Sequence, residues 1–370
     1  MRKIAWLPGD GVGNDVMEAA KLVLDTLKFE ADYQHGDIGW EFWKNEGNPL
    51  PDRTIELCRN TDCALFGAIT SKPKDEAAHE LAPSLRDKGY VYSSPIVALR
   101  QLFDLHSNMR PCKAFKGNPL NYKDDIDLVI FRENTEGLYS GVEFYPTPKD
   151  LMSTLDKKHK KFGRFAKLPE DEVAISLRIF TKKGCTRIVR AAFEYAKKTN
   201  RPSVTVVEKP NVIRETSGLM VRTAREIAKD YGGIELKEAN IDAMCMWLVK
   251  NPENYSVLVA SNMFGDIISD LAAQLVGGLG FASSANIGDD YAVFEPTHGS
   301  APKYAGQYKV NPMAMLLTTR LMLEWLGETD RAARLEKSVA KVISEGKVRT
   351  YDMGGSNTTM EVAEEVARNL

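Results

Sequence analysis

Apolar positions along the chain follow two spacings that alternate almost from end to end. Short runs of apolar, mostly β-branched residues predict buried strands, and stretches with apolar residues three and four positions apart predict helices. The predicted strands are Lys3–Leu7, Phe29–Gln34, Cys63–Gly67, Leu128–Phe131, Val204–Val207 and Val257–Ala260. The predicted helices are Asn14–Leu27, Ser94–Phe103, Thr181–Lys198, Glu215–Tyr231, one that begins at Gly265, and most of the tail from Pro312. The alternation predicts an α/β fold with a largely parallel sheet.

Two stretches interrupt this alternation. Gly141–Lys167 is rich in proline and basic residues and is followed by a β-rich run, Glu172–Phe180, so it is predicted to leave the main layers. Gly277–Tyr291 is rich in glycine, alanine and serine, which predicts a flexible crossing between two folded masses.

Composition narrows the class of protein. With 370 residues, 43% hydrophobic, 27% charged and a net charge of −2, the chain is typical of a globular protein of two or three domains, without a global basic field for nucleic acid. The five cysteines are scattered and lack a Cys-x-x-Cys pair, which predicts reduced thiols. No signal peptide is recognised, and no apolar run approaches the about 20 residues of a membrane helix, so a cytoplasmic location is expected. The histidines lack zinc-ligand spacing, so any metal is expected to be a hard ion bound by carboxylates.

The opening turn, Pro8-Gly9-Asp10-Gly11-Val12-Gly13, lies between a predicted strand and a predicted helix, as a dinucleotide fingerprint does. The third glycine of that fingerprint is missing, because Asn14 stands in its place. We therefore interpret these glycines as a tight structural turn.

Two aspartates, Asp266 and Asp270, follow the predicted strand Val257–Ala260 and share one helix face. Like charges at this spacing repel each other unless a cation lies between them. A divalent ion such as Mg²⁺ or Mn²⁺ explains the pair, and a solvated acidic face is the alternative.

Three arginines, Arg100, Arg110 and Arg132, lie near predicted element ends, where guanidinium groups suit carboxylates or phosphate. Their grouping favours a polyanionic substrate, although each alone is equally typical of a surface residue. Tyr139, which ends Arg132-Glu-Asn-Thr-Glu-Gly-Leu-Tyr139, is a candidate proton donor, and Lys209 a candidate proton acceptor.

The segment Glu295–Gly306, followed by Asn311 and Pro312, combines small residues with a predicted helix start. Such a segment is typical of an anion-binding nest, and an ordered connection is the alternative.

Taken in order, these motifs resemble the β-decarboxylating dehydrogenases, a family that includes isocitrate, homoisocitrate and 3-isopropylmalate dehydrogenases. The resemblance runs from residue 4 to the C-terminus. It implies the isocitrate/isopropylmalate dehydrogenase-like fold, which has two α/β domains and a dimer clasp and is not a Rossmann fold. By this resemblance the large domain comprises residues 1–104 and 278–370, the small domain residues 105–136 and 182–277, and the clasp residues 137–181.

The resemblance also assigns roles. It implies a homodimer with shared active sites, in which Asp266 and Asp270 bind Mg²⁺ or Mn²⁺ together with Asp242 of the partner subunit. Substrate carboxylates would be held by Ser94, Arg100, Arg110 and Arg132. Lys209 of the partner subunit would take the hydroxyl proton as hydride leaves for the nicotinamide, and Tyr139 would protonate the enolate that remains after loss of CO2.

For the dinucleotide, the resemblance implies binding by Thr70, Asn211, Glu295, His298, Gly299, Ser300, Ala301, Lys303, Tyr304, Asn311 and Tyr351. The pair Lys303 and Tyr304 favours NADP, because lysine can neutralise a ribose 2′-phosphate, with NAD as the alternative. The arginine expected four residues after Tyr351 is absent, and Gly355 stands there.

The resemblance also bears on the hydroxy tricarboxylic acid substrate: Ser94 matches the serine of isocitrate-specific members and so favours isocitrate, the substrate of the tricarboxylic acid cycle enzyme. Ile96 replaces an asparagine expected for isocitrate, and the insertion Lys72–Tyr92 lengthens the substrate loop, so homoisocitrate and 3-isopropylmalate remain alternatives. A different class of function, nucleic-acid binding, would use the basic run Lys157–Lys161 with Phe162, Arg164 and Phe165. Basic runs are usually solvated and the net charge is negative, so we expect no nucleic acid partner.

Overall fold

The computed structural model describes all 370 residues and contains twelve strands and thirteen helices. The strands are β1 Arg2–Gly9, β2 Ala31–His35, β3 Cys63–Ala68, β4 Ser107–Lys113, β5 Asp127–Glu133, β6 Glu143–Phe144, β7 Ile175–Ser176, β8 Ser203–Glu208, β9 Glu235–Asn240, β10 Val257–Ala260, β11 Ser283–Ile287 and β12 Ala292–Pro296. The helices are α1 Gly13–Thr26, α2 Trp40–Glu46, α3 Asp52–Arg59, α4 Lys74–His79, α5 Pro95–Leu102, α6 Lys149–Lys158, α7 Lys182–Lys198, α8 Thr216–Ala228, α9 Ile241–Lys250, α10 Asn262–Leu275, α11 Met313–Trp325, α12 Thr329–Glu345 and α13 Thr359–Arg368.

Ten strands form one sheet in the order β2-β1-β3-β12-β11-β4-β5-β10-β8-β9. Pairing is parallel except in the middle, where β11 runs antiparallel to both neighbours and β4 runs antiparallel to β5. The predicted α/β fold with a largely parallel sheet is confirmed.

Helices cover both halves of this sheet. In one half β1, β3 and β12 pack against α1, α11 and α12 on one face and against α3 and α5 on the other. In the other half β5, β8 and β10 pack against α7 and α8 on one face and against α9 and α10 on the other. The domain boundaries drawn from the sequence stay a prediction.

The predicted flexible crossing at Gly277–Tyr291 is wrong. Its middle is β11, which lies at the centre of the sheet with Ala285 fully buried. Small residues are needed here because α11 packs closely over this strand. The composition that indicated a loop therefore reflects tight packing.

Two further boundaries differ from the sequence-based prediction. Helix α10 begins at Asn262 rather than at Gly265, and Arg110 lies in the middle of β4 rather than at an element end. Gly265 is required inside the helix, because a Cβ atom there would lie 2.7 Å from the Cβ of Arg132.

The stretch predicted to leave the main layers does so. β6 and β7 form a separate two-stranded antiparallel sheet, and α6 lies between them in sequence. Of the β-rich run Glu172–Phe180 only Ile175–Ser176 forms a strand. The basic run Lys157–Lys161 is exposed at the end of α6, and its role stays a prediction.

The five cysteines are unpaired, as predicted. None of the helices combines the length and the apolar character that crossing a membrane requires.

Candidate active site

A cavity of about 300 Å³ lies where the two halves of the sheet meet. Its lining brings together the three predicted arginines, Tyr139, Asp266 and the beginning of the Glu295–Gly306 segment. These residues come from α5, β4, β5, the turn after β5, α10 and the end of β12. The structure thus gathers residues that the sequence places more than one hundred positions apart.

Arg132 is the most deeply buried of the three arginines, with 1% of its surface exposed. Its Nε and Nη2 donate to Asn262 Oδ1 at 3.0 and 2.8 Å, and its Nη1 donates to Asp266. The contact follows from strand pairing, because β5 and β10 are in register at Arg132 and Ala260 and α10 begins two residues later. Burial lowers the pKa of Arg132, and the Asp266 carboxylate opposes that shift.

Arg110 lies between the two aspartates of α10. Its Nη1 is 3.0 Å from Asp270 Oδ1 and 3.5 Å from Asp266 Oδ1, and it also donates to Ser269 Oγ at 2.7 Å. Asn108 Oδ1 accepts from Arg110 Nε at 2.7 Å and fixes the plane of the guanidinium. The repulsion expected between two carboxylates on one helix face is therefore relieved by a cation.

Arg100 is held by side chains of β11 and β12. Its Nε donates to Asn286 Oδ1 at 2.9 Å and its Nη2 to Glu295 Oε1 at 3.0 Å. All three side chains are buried. The carboxylate of Glu295, expected to bind the dinucleotide, is thus occupied by Arg100 and by the amide of Asn286 at 2.8 Å.

Tyr139 lies in a single helical turn, Leu138–Ser140, next to the arginines. Its hydroxyl donates to Asp266 Oδ2 at 2.9 Å, and the Arg132 guanidinium lies 5.3 Å from its ring centre. Burial and the Asp266 carboxylate both raise the pKa of Tyr139. The phenol therefore keeps its proton in neutral and mildly alkaline solution.

Lys209 and Asp242 do not reach the cavity of their own chain. They pair with each other at 2.5 Å, Lys209 directly after β8 and Asp242 in the first turn of α9. The hydrogen bond from Lys209 lowers the pKa of Asp242. Asn211, exposed two residues after Lys209, belongs to the same segment.

The carboxylates of Asp266 and Asp270 fit a hard divalent ion in their chemistry. Asp266 and Asp270 offer oxygen atoms to one cationic atom of Arg110, which shows that the pair accommodates a positive charge. One chain has no group of three side chains arranged to hold a metal ion. The third predicted ligand, Asp242 of the partner subunit, stays a prediction.

The opening glycine turn holds the Glu295–Gly306 segment in place. The N–H of Val12 donates to the Ser300 carbonyl at 2.8 Å, and a Cβ atom on Gly11 would lie 2.1 Å from that same oxygen. Asp10 accepts from the N–H of Thr70 at 2.8 Å, and the Thr70 hydroxyl lies 2.6 Å from that of Ser300. The structural interpretation of these glycines agrees with the geometry, because the turn's polar groups are used by the protein itself.

A second carboxylate, that of Asp15 on α1, supports the far end of the segment. It accepts from the N–H groups of Gly306 and Tyr308, each at 3.1 Å. Between these supports Ala301 has a φ of 36°, a strained value for a residue with a side chain. Gly299 is exposed and lines the cavity.

His298 lines the cavity with one ring nitrogen free. Its Nδ1 lies 3.0 Å from the carbonyl oxygen of Gly299, and its Nε2 is buried without a partner. Burial lowers the pKa of His298, so the ring is neutral at neutral pH. A buried polar atom without a partner fits a site that a polar ligand completes.

The predicted cofactor residues farther along lie around a pair of tyrosine rings. The ring centres of Tyr304 and Tyr351 are 6.0 Å apart, and the Lys303 ammonium lies 4.7 Å from the centre of the Tyr304 ring. Asn311 Oδ1 accepts a hydrogen bond from the N–H of Met313, the first residue of α11, at 3.0 Å.

The predicted substrate loop contributes apolar residues to the cavity. Ile96 and Val97 of α5 line it, whereas Ser94, at the N-cap position of α5, is partly buried beside it. The insertion Lys72–Tyr92 packs against Trp40 and Trp43, and the Tyr92 hydroxyl donates to the Thr70 carbonyl at 2.8 Å.

The sequence did not indicate the amides that orient the arginines. Asn108 and Asn286 meet because β4 and β11 pair in that register, and Asn262 meets Arg132 because β5 and β10 pair. Of these three asparagines, only Asn262 could have been found from the sequence, because it precedes the candidate metal ligand Asp266 by one helical turn.

The family model described as isocitrate/isopropylmalate dehydrogenase matches residues 3–366. A 3-isopropylmalate dehydrogenase of Archaeoglobus fulgidus is 42% identical over 370 residues, which is 100% of both chains. A homoisocitrate dehydrogenase of Methanocaldococcus jannaschii is 40% identical over 375 aligned positions, covering 99% of this chain and 97% of that protein. The solved structure of an isocitrate dehydrogenase from Methylococcus capsulatus superimposes with a TM-score of 0.86 at 37% identity, covering 100% of this chain and 99% of the other.

A longer relative is also similar. The protein DlpA of Legionella pneumophila is 43% identical over 366 residues. That match covers 98% of this chain and 58% of the Legionella protein.

Proposed function

The chain belongs to the isocitrate/isopropylmalate dehydrogenase family, and we propose that it oxidatively decarboxylates isocitrate to 2-oxoglutarate, with hydride transfer to NADP. The family consists of decarboxylating dehydrogenases acting on isocitrate, homoisocitrate or isopropylmalate. The observation that carries the proposal is the cavity in which three arginines, Tyr139 and Asp266 face the Glu295–Gly306 segment.

The three arginines bind the carboxylates of the substrate in this proposal. Guanidinium groups bind carboxylates through two parallel N–H donors, and such charge-assisted pairs are the stronger hydrogen bonds. Asn108, Asn262 and Asn286 hold the guanidinium planes before substrate arrives. A substrate with several carboxylates therefore meets donors that are already oriented.

Asp266 and Asp270, together with Asp242 of the partner subunit, hold Mg²⁺ or Mn²⁺ in this proposal. When bound, such an ion polarises the substrate's hydroxyl and keto oxygens and stabilises the negative charge left by decarboxylation. Asp242 pairs with Lys209 in the single chain, and its side chain is 67% exposed, where a second copy can reach it.

Proton transfer is divided between two residues. Lys209 of the partner subunit removes the hydroxyl proton during hydride transfer, and Tyr139 returns a proton to carbon after CO2 has left. The raised pKa of Tyr139 suits this second role, because the phenol is protonated when the enolate forms.

NADP is the proposed cofactor because the Lys303 ammonium lies over the Tyr304 ring, where it can neutralise the negative charge of a ribose 2′-phosphate. In this proposal His298 and the Ser300 segment hold the rest of the dinucleotide. Further contacts come from Thr70, Asn211, Gly299, Ala301, Asn311 and Tyr351. NAD is the alternative.

One observation favours 3-isopropylmalate as a second candidate substrate. Ile96 and Val97 present apolar side chains to the cavity on the face that would receive the substrate's variable group. An apolar lining favours an alkyl group over a carboxylate there. Relatives of this chain carry the name 3-isopropylmalate dehydrogenase, which agrees with this candidate.

An assay with purified protein, Mg²⁺ and each of the three acids, with NAD and NADP in turn, tests the proposal through the absorbance of the reduced cofactor. We expect the highest kcat/KM for isocitrate with NADP, and no activity after chelation of the metal. A higher kcat/KM for 3-isopropylmalate selects the second candidate. Absence of turnover with every acid contradicts the proposed reaction.

A further inference from the structure

Lys309 lies beside the predicted cofactor residues but belongs to none of the motifs that identify the site. Its ammonium lies 5.3 Å from the ring centre of Tyr304 and 5.2 Å from that of Tyr351. The Lys303 ammonium also lies over the Tyr304 ring, so two ammonium groups lie next to the pair formed by Tyr304 and Tyr351.

Neither ammonium has an anionic partner in the protein. The acidic residue next to Tyr351, Asp352, is engaged instead by the Asn311 amide at 2.9 Å and the Thr350 hydroxyl at 2.5 Å. Two unpaired cations near each other repel, and a dianion bound between them removes that repulsion while accepting hydrogen bonds from both.

The resemblance leads us to expect an arginine at position 355, but the backbone there leaves no room for one. A Cβ atom at this position would lie 2.1 Å from the carbonyl oxygen of Arg349 and 2.6 Å from its Cβ. An arginine cannot stand at position 355 without displacement of the backbone, so the charge expected after Tyr351 has no room there.

We propose that Lys309 supplies this charge and that, with Lys303, it binds the 2′-phosphate of the dinucleotide and determines the preference for NADP. The inference rests on the proposed use of NADP. The faces of the two tyrosine rings hold the ammonium groups close to the position proposed for the phosphate.

The test is a calorimetric titration of the purified protein with NADP and with NAD, without acid substrate, so that no turnover occurs. For Lys309→Met we expect the Kd for NADP to rise about tenfold, as the loss of one charge-assisted contact implies, and the Kd for NAD to change less than about twofold. Lys309→Arg retains most of the affinity for NADP. Lys337→Met, which removes an exposed lysine of α12 that has no ion-pair partner, is the matched control and leaves both constants unchanged.

Three results would overturn the inference. An unchanged Kd for NADP removes Lys309 from the phosphate site. An equal loss for NADP and NAD shows that Lys309 only stabilises the tyrosine pair. A wild-type protein that binds NAD as tightly as NADP refutes the NADP preference itself, while acid-dependent reduction of NAD would still support the proposed reaction.

Discussion

At the scale of single residues, one carboxylate connects most of the candidate chemistry. Asp266 forms ion pairs with Arg132 and Arg110 and accepts a hydrogen bond from the Tyr139 hydroxyl. Since the substrate-binding, metal-binding and proton-donating roles are proposed for these neighbours, a change at any one alters the electrostatics of the others.

Replacing Tyr139 with phenylalanine removes the hydroxyl and leaves the ring over Arg132. We expect kcat to fall by about 10²-fold or more with a smaller change in KM for the acid, because the lost group acts as a general acid after binding. Steady-state kinetics measure both constants. Tyr122→Phe, on an exposed tyrosine whose hydroxyl makes no hydrogen bond, is the control, and an equal effect there would contradict the assignment.

The pH profile offers a second check on the same residue. The pKa of Tyr139 is raised above its ordinary value of 10.0, so the phenol stays protonated as the pH rises toward that value. Activity should therefore show no loss from tyrosine ionisation below about pH 10. A decline in kcat that begins near pH 8 and disappears in Tyr139→Phe would contradict the raised pKa.

Candidate site residues could be recognised where a motif is contiguous, but not where only strand pairing brings side chains together. Arg132, Tyr139 and Asp266 stand in recognisable runs, and the structure gathers them in one cavity. Asn108 and Asn286 became visible only through the pairing of β4 with β11, which no local pattern encodes.

At the scale of secondary-structure elements, glycines set how closely the elements approach. Gly265 lets α10 pack against Arg132, and Gly11 lets the turn before α1 touch Ser300. Both were visible in the sequence as parts of motifs, but their purpose depended on neighbours distant in the chain.

Gly265→Ala is expected to raise KM for the acid substrate and to lower stability. Alanine favours a helix over glycine by about 1 kcal/mol, but the new Cβ would lie 2.7 Å from Arg132 and displace it. Gly218→Ala in α8 is the matched control, since the nearest atom to its new Cβ is the mobile end of Arg222. Urea unfolding and kinetics of both variants check the difference, and a stabilised, fully active Gly265→Ala would contradict it.

Gly11→Ala is expected to weaken dinucleotide binding as well as stability. Gly11 has a φ of 55°, which costs an alanine about 1–2 kcal/mol, and the added Cβ also pushes on the Ser300 carbonyl. Gly233→Ala shares the strained φ of 89° but has open space around it, so it should lose stability alone. Titration with NADP separates the two, and equal affinities would contradict the proposed support of Ser300.

At the scale of the whole molecule, the predicted rhythm of strands and helices was correct, while the sheet order was beyond local patterns. β12 returns next to β3 across more than two hundred residues of sequence, and β11 joins the two halves by pairing with β4 across more than one hundred and fifty. Pairings of this range depend on the packing of every layer. For the same reason β11, built of small residues, was mistaken for a flexible crossing.

Exposed apolar residues lie beside the residues that fail to reach their own cavity. On α9 Met246, Trp247 and Val249 are 71%, 43% and 47% exposed, and on α10 Ile267 is 50% exposed. A grouped apolar surface of this kind is typical of a protein interface. It agrees with the proposed homodimer, in which α9 carries Asp242 toward a second copy.

The shared site predicts that two inactive variants restore activity when they are combined. Lys209→Met removes the general base that each chain contributes to the active site of its partner subunit. Asp266→Asn removes a metal ligand from the chain's own active site. Each variant should therefore be inactive as a homodimer. In a mixed dimer with two-fold symmetry one site keeps both residues, and random mixing should recover about a quarter of wild-type kcat. Unfolding and refolding the variants together, with each refolded alone as the control, measures the recovery. If Lys209 instead served its own chain, every Lys209→Met chain and every Asp266→Asn chain would carry a defective site, and the mixture would stay inactive.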